Sequence, residues 1–109
     1  MPESYVVGVD AGATNTKALL YDLEAGQVVA VASRPTVVHH PQPARSEFQP
    51  EELWQGTAAS LREVMACCPR RDAVAGVAVA SMAEAGVPLD ATGAPFYPVN
   101  CLGPLSAAL

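Results

Sequence analysis

The sequence predicts an α/β layered domain with one mixed sheet and the element order β-β-β-α-β. Three observations carry that reading. The first third holds three short apolar, β-branched runs, the last two joined by a turn containing a glycine. A helical spacing of apolar residues follows, opened by Pro50. Then comes a continuous run of small apolar residues, Ala73 to Ala80. A helix between two strands returns the chain to the same sheet with a right-handed crossover. Half of the 109 residues are hydrophobic and 16% are charged, a balance that buries a core in one small domain.

Tyr5 to Val9 is the first strand, and its apolar residues fall on both faces, so burial on both sides is expected. Lys17 to Leu23 and Gln27 to Ser33 are the second and third. Glu24-Ala25-Gly26 joins them as a hairpin loop, with the glycine supplying positive φ. The three strands form an antiparallel meander. Residues 34–50 change character, because four prolines deny a ladder its N–H groups and break helices. An extended excursion over the surface is expected there, long enough to be a candidate for function.

Pro50 suits a first helical position, where its missing N–H has no partner to lose. Glu51 and Glu52 then complement the helix dipole. Leu53, Trp54, Ala58, Leu61, Val64 and Met65 mark an apolar face, which places Trp54 in the core. The helix ends near Cys68-Pro69. Ala73 to Ala80 is expected as a central strand buried on both sides. Val87 to Asp90 reads as one more short strand, Ala91 to Pro95 as a turn, and Phe96-Tyr97 as an extended piece.

Asp10 to Thr16, between the first two strands, holds more chemistry than a turn needs. Gly12 lets the backbone bend with its N–H groups inward, an anion-binding nest. Thr14 and Thr16 offer hydroxyl donors on short stems, Asn15 an amide, and Lys17 a point charge where the chain returns. Asp10 repels phosphate unless a magnesium ion lies between them, since Mg²⁺ joins carboxylates to phosphate oxygens. The cluster reads as a nucleotide–magnesium site with Asp10 as the metal's carboxylate. On spacing alone, a structural hairpin with a polar tip is equally open. Neither GxxxxGK[ST] nor GxGxxG is present.

Asp10-x-Gly12-x-Thr14-x-Thr16-Lys17, flanked by strands, resembles the first phosphate motif of the actin-like ATPase and sugar-kinase superfamily. Phe48-Gln49-Pro50-Glu51-Glu52-Leu53-Trp54, the strand leading into Ser81-Met82-Ala83-Glu84-Ala85, and Leu89-Asp90 with Gly93 and Pro95 narrow the resemblance to the FGGY carbohydrate kinases. It covers nearly all of residues 5–99. It implies an RNase H-like fold, incomplete here, and transfer of a phosphoryl group from ATP, with magnesium, to a sugar or polyol hydroxyl. Asp10 would link magnesium. Gly12, Thr14, Asn15, Thr16 and Lys17 would bind the phosphates, and Met82 and Glu84 would touch the substrate. BadF-like ATPases and N-acetylhexosamine kinases share a similar first motif. The Pro-Glu-Glu-Leu-Trp segment and the Leu-Asp-x-x-Gly-x-Pro turn favour FGGY. A truncated, non-catalytic domain with a vestigial loop is the non-enzyme alternative.

Relatives carry a larger polar residue where this chain has Ala83, so the sugar class stays undefined. The family pattern fades after Val99, and residues 100–109 are expected to diverge from it. The family's general base, second phosphate motif and second domain do not occur within these residues. The chain is expected to be a fragment, inactive by itself.

Eleven acidic against six basic residues, with no basic cluster beyond Arg70-Arg71, argue against nucleic acid and anionic membranes as partners. No apolar run reaches the roughly 18 residues of a membrane span. Neither a signal peptide nor zinc-ligand spacing is evident, so a cytoplasmic protein with free thiols at Cys67, Cys68 and Cys101 is expected. His39 and His40, adjacent on an extended strand, point opposite ways and do not share an ion readily. Asp72 and Asp90 are expected to end secondary-structure elements.

Overall fold

A computed structural model describes residues 4–42, 45–81, 85–86, 88–95 and 99–101. The chain runs β1 (Tyr5–Ala11), β2 (Asn15–Asp22), β3 (Gln27–Pro35), β4 (His39–Gln42), β5 (Arg45–Phe48), α1 (Pro50–Ala66), a 3-10 turn at Arg71–Ala73, β6 (Val74–Ser81), β7 (Ala85–Gly86) and β8 (Val99–Cys101). The main sheet has the order β3-β2-β1-β6. β1–β2 and β2–β3 are antiparallel, and β6 returns parallel to β1. The predicted β-β-β-α-β order and mixed sheet are therefore present.

The turn after β2 forms as its residues dictate. The Asp22 carboxylate accepts the N–H groups of Glu24 and Ala25, each at 3.0 Å. Gly26 closes the turn at φ 67°, a conformation that costs glycine least. β1 buries Tyr5, Val7 and Val9, β2 buries Ala18 and Leu20, and β3 adds Ala32, all against Val64 of α1. That alternation is the period-two signature of a sheet covered on one side. The second face of β1 is only half-buried at Val6 and Gly8, so the expectation of burial on both sides holds for one face alone.

Three further expectations are corrected. Residues 34–50 are not a surface excursion throughout. β4 and β5 pair antiparallel within a second sheet of order β4-β5-β8-β7. Pro41 is tolerated because β4 lies at that sheet's edge, where a missing donor breaks no inner ladder.

Trp54 is not in the core but 59% exposed. The buried residues of α1 are Ala58, Ser60 and Val64, with Leu61 and Met65 packed against the core, and Trp54 stands one turn before the first of them.

β6 is not central but an edge strand, with Val77 60% and Val79 69% exposed. Val79 sits level with Val9, on the face that α1 covers over β1 to β3. No other described element lies over β6. Of the expected strand at Val87 to Asp90, Val87 lies outside the described residues, and the described part shows a bridge from Leu89 to Pro95. Phe96-Tyr97 lies outside the described residues.

Candidate functional site

The loop between β1 and β2 is positioned by a regular ladder on both sides. Asp10 pairs with Lys17 and Ala11 with Thr16 across the β1–β2 rungs. Buried Val9 and Ala18 direct their neighbours Asp10 and Lys17 to the opposite face, where both are exposed. A carboxylate and an ammonium therefore stand side by side on one rung, beside Ala80 of β6 and Ser33 of β3.

The turn itself is tight. Gly12 donates its N–H to the Asn15 carbonyl at 3.1 Å. A Cβ on Gly12 would meet that same carbonyl oxygen at 2.8 Å, with an Asp10 carboxylate oxygen 3.5 Å away. Among the described residues, positive φ falls at Gly26 and Gly93. Glycine is needed at position 12 for close approach rather than for an unusual φ. Its N–H is spent inside the turn. Among the described residues, the N–H groups of Ala13 and Thr14 have no backbone partner, and both residues are exposed. Those two amides are the free donors at the tip.

Thr16 points the other way. It is 3% exposed, and its hydroxyl lies 3.2 Å from that of Thr36. It supports the loop from behind, and the exposed hydroxyl at the tip is that of Thr14. Thr36 was not anticipated, although the signal existed. Continuing the β2–β3 register past Asn15 and Pro35 brings Thr36 beside Thr14. Met82 and Glu84, expected at the substrate, lie outside the described residues. Ser81 before them donates its hydroxyl to the Ala11 carbonyl at 3.4 Å, tying the end of β6 to the loop.

Behind the loop, on the α1 side, a cavity of about 410 Å³ is lined by Thr16, Arg34, Thr36, Glu51, Glu52 and Leu53 among others. Its two carboxylates disfavour phosphate. Its one cation is engaged, since Arg34 reaches the Ser60 hydroxyl at 3.4 Å and the Glu63 carboxylate at 3.5 Å. The open face, with Asp10, Lys17 and the free amides, is the better anion site. His39 is no ligand in this arrangement. Its Nε2 lies 3.0 Å and 3.1 Å from the two Glu52 carboxylate oxygens, fastening β4 to the first turn of α1.

Farther along, Asp90 organises the turn predicted at residues 91–95. One carboxylate oxygen accepts the Thr92 hydroxyl at 2.6 Å, the Thr92 N–H at 2.9 Å and the Ala94 N–H at 3.0 Å. Those bonds hold its carboxyl below the usual aspartate range, the Thr92 hydroxyl contributing most. Gly93 takes φ 85° inside the turn.

Residues 5–102 match the FGGY family of carbohydrate kinases, N-terminal domain. The chain belongs to this family. Glycerol kinase of Citrifermentans bemidjiense is 35% identical over 83 residues, which are 76% of this chain and 15% of that enzyme. Glycerol kinase of Shewanella baltica is 33% identical over 99 residues, 89% of this chain and 20% of that one. Xylulose kinase of Rhodospirillum rubrum superposes with a TM-score of 0.80 at 36% identity, over 89% of this chain and 20% of its own. Gluconate kinase of Lactobacillus acidophilus shares the fold at a TM-score of 0.82 and 19% identity, over 91% of this chain and 20% of its own. The FGGY chain described here thus carries part of an RNase H-like, actin-like ATPase domain. It spans 15% to 20% of the length of these relatives.

Proposed function

We propose that this chain takes part in ATP-dependent phosphorylation of a sugar or polyol hydroxyl, with residues 10–17 gripping the phosphates. One observation carries the reading: Asp10 and Lys17 share an exposed rung at the mouth of a turn whose Ala13 and Thr14 amides lack backbone partners. A carboxylate beside unpartnered donors fits magnesium–phosphate better than phosphate alone. Asp10 would hold the ion. Lys17, the two amides, the Thr14 hydroxyl and the Asn15 side chain would hold phosphate oxygens.

Bound magnesium would neutralise charge on the phosphoryl group in transfer. The chain's own part is to fix the phosphates by donors already aimed, so that little reorganisation is needed as charge shifts. Lys17 adds a charge that strengthens as water leaves the site. Met82 and Glu84 are assigned to the substrate by family resemblance. We expect the 109-residue chain alone to bind nucleotide without turning over, since no residue described here is placed as a general base.

Calorimetric titration of the chain with Mg·ATP tests this. K17A should weaken binding about tenfold or more, the scale of one charge-assisted contact. D10N should make the affinity insensitive to magnesium. A wild-type chain that does not bind, or a K17A affinity equal to wild type, overturns the proposal. Sugar phosphorylation by the isolated chain overturns the expectation of silence.

A further inference from the structure

We infer that Thr36 is a positioning residue that presents the Ala13 N–H, one of the phosphate loop's free amides, to the open face. This deepens the reading above and rests on it. Thr36 follows β3 directly and continues its register with β2 by one more residue. It donates its N–H to the Thr14 carbonyl at 2.9 Å. Its hydroxyl donates to the Gly12 carbonyl at 2.7 Å. A hydroxyl has one proton, so in the 3.2 Å contact with Thr16 the Thr16 hydroxyl must be the donor. The result is a directed chain, from Thr16 through Thr36 to Gly12, whose bonds polarise one another.

The consequence for the loop follows from peptide geometry. In a trans peptide the carbonyl and the next N–H point opposite ways. There are no cis peptides among the described residues. Pulling the Gly12 carbonyl onto Thr36 therefore turns the Ala13 N–H away from Thr36. Holding the Thr14 carbonyl does the same for the Asn15 N–H. Two carbonyls are gripped from one side, and the N–H groups of their peptide units are turned toward the other. The burial of Thr16 fits this role, since no buried side-chain polar atom among the described residues lacks a partner.

Amide hydrogen exchange on the full chain tests the clasp without nucleotide. T36V removes the hydroxyl at nearly constant volume. It should speed exchange at Gly12 and Thr36, whose N–H groups are bonded within the loop and the clasp, about tenfold while Val7 and Leu20 stay protected. T36S keeps the hydroxyl and should restore exchange to within about twofold. Mg·ATP affinity should fall about three- to tenfold in T36V and recover in T36S. Unchanged loop exchange in T36V, or no recovery in T36S, overturns the inference. If T36V loses protection at Val7 and Leu20 as well, T16V decides. It removes only the outer bond and should speed loop exchange about threefold, and no change there overturns the clasp. A wild-type chain that fails to bind Mg·ATP defeats the phosphate reading, while the exchange comparison still judges the clasp.

Discussion

Two glycines show how differently the same residue type is used. Gly12 sits where a Cβ would reach 2.8 Å from the Asn15 carbonyl, a backbone atom with no freedom to step aside. Gly56, inside α1, has nothing within 4 Å of where its Cβ would be. Alanine should therefore have opposite effects. G12A should lower stability by about 1–3 kcal/mol through forced displacement of the turn. G56A should raise it by about 0.5–1 kcal/mol, because glycine loses more chain entropy in a helix. Urea unfolding of both variants checks the pair. The polar character of residues 10–17 was legible in the sequence. The inward seat of Thr16 was not, because the pattern names residue types and only the ladder phase decides which face each meets.

At the scale of elements, the meander and α1 were legible because their periodicity matches their burial. β4 and β5 were not, since prolines at 41 and 43 mask a strand that survives only at a sheet edge. Trp54 was misplaced because the apolar stripe outruns the core: the buried residues of α1 begin at Ala58, one turn farther along. The turn at 90–95 is held by the Asp90 carboxylate together with backbone bonds from Asp90 N–H to Ala94 and from Gly93 N–H to Asp90. Because the folded Asp90 titrates below its ordinary value, the turn gains stability from ionisation above about pH 3.9. That gain is lost as pH falls through the lower folded value. Acid titration followed by NMR should show the Thr92 and Ala94 amide signals constant to below about pH 3.9, then moving together. In D90A they should exchange faster at every pH.

Across the whole molecule, Val9 and Val79 occupy one rung of the β1–β6 pair yet live in different surroundings, 6% and 69% exposed. The sequence of β6 reads as fully buried, and the reading failed because burial belongs to whatever packs against a strand. V9A should cost about 1.5–3 kcal/mol and V79A less than about 0.5 kcal/mol in chemical denaturation of this chain. Equal costs would mean that something covers β6. The same parallel pairing spans the chain, since the Ser81 hydroxyl reaches the Ala11 carbonyl over seventy positions. A ribosome releases the hairpin strands and the Thr36 clasp well before it releases Ser81. The nascent polypeptide can therefore shape one side of the loop at residues 10–17 early, and it braces the other only when the last turn of the crossover has left the exit tunnel.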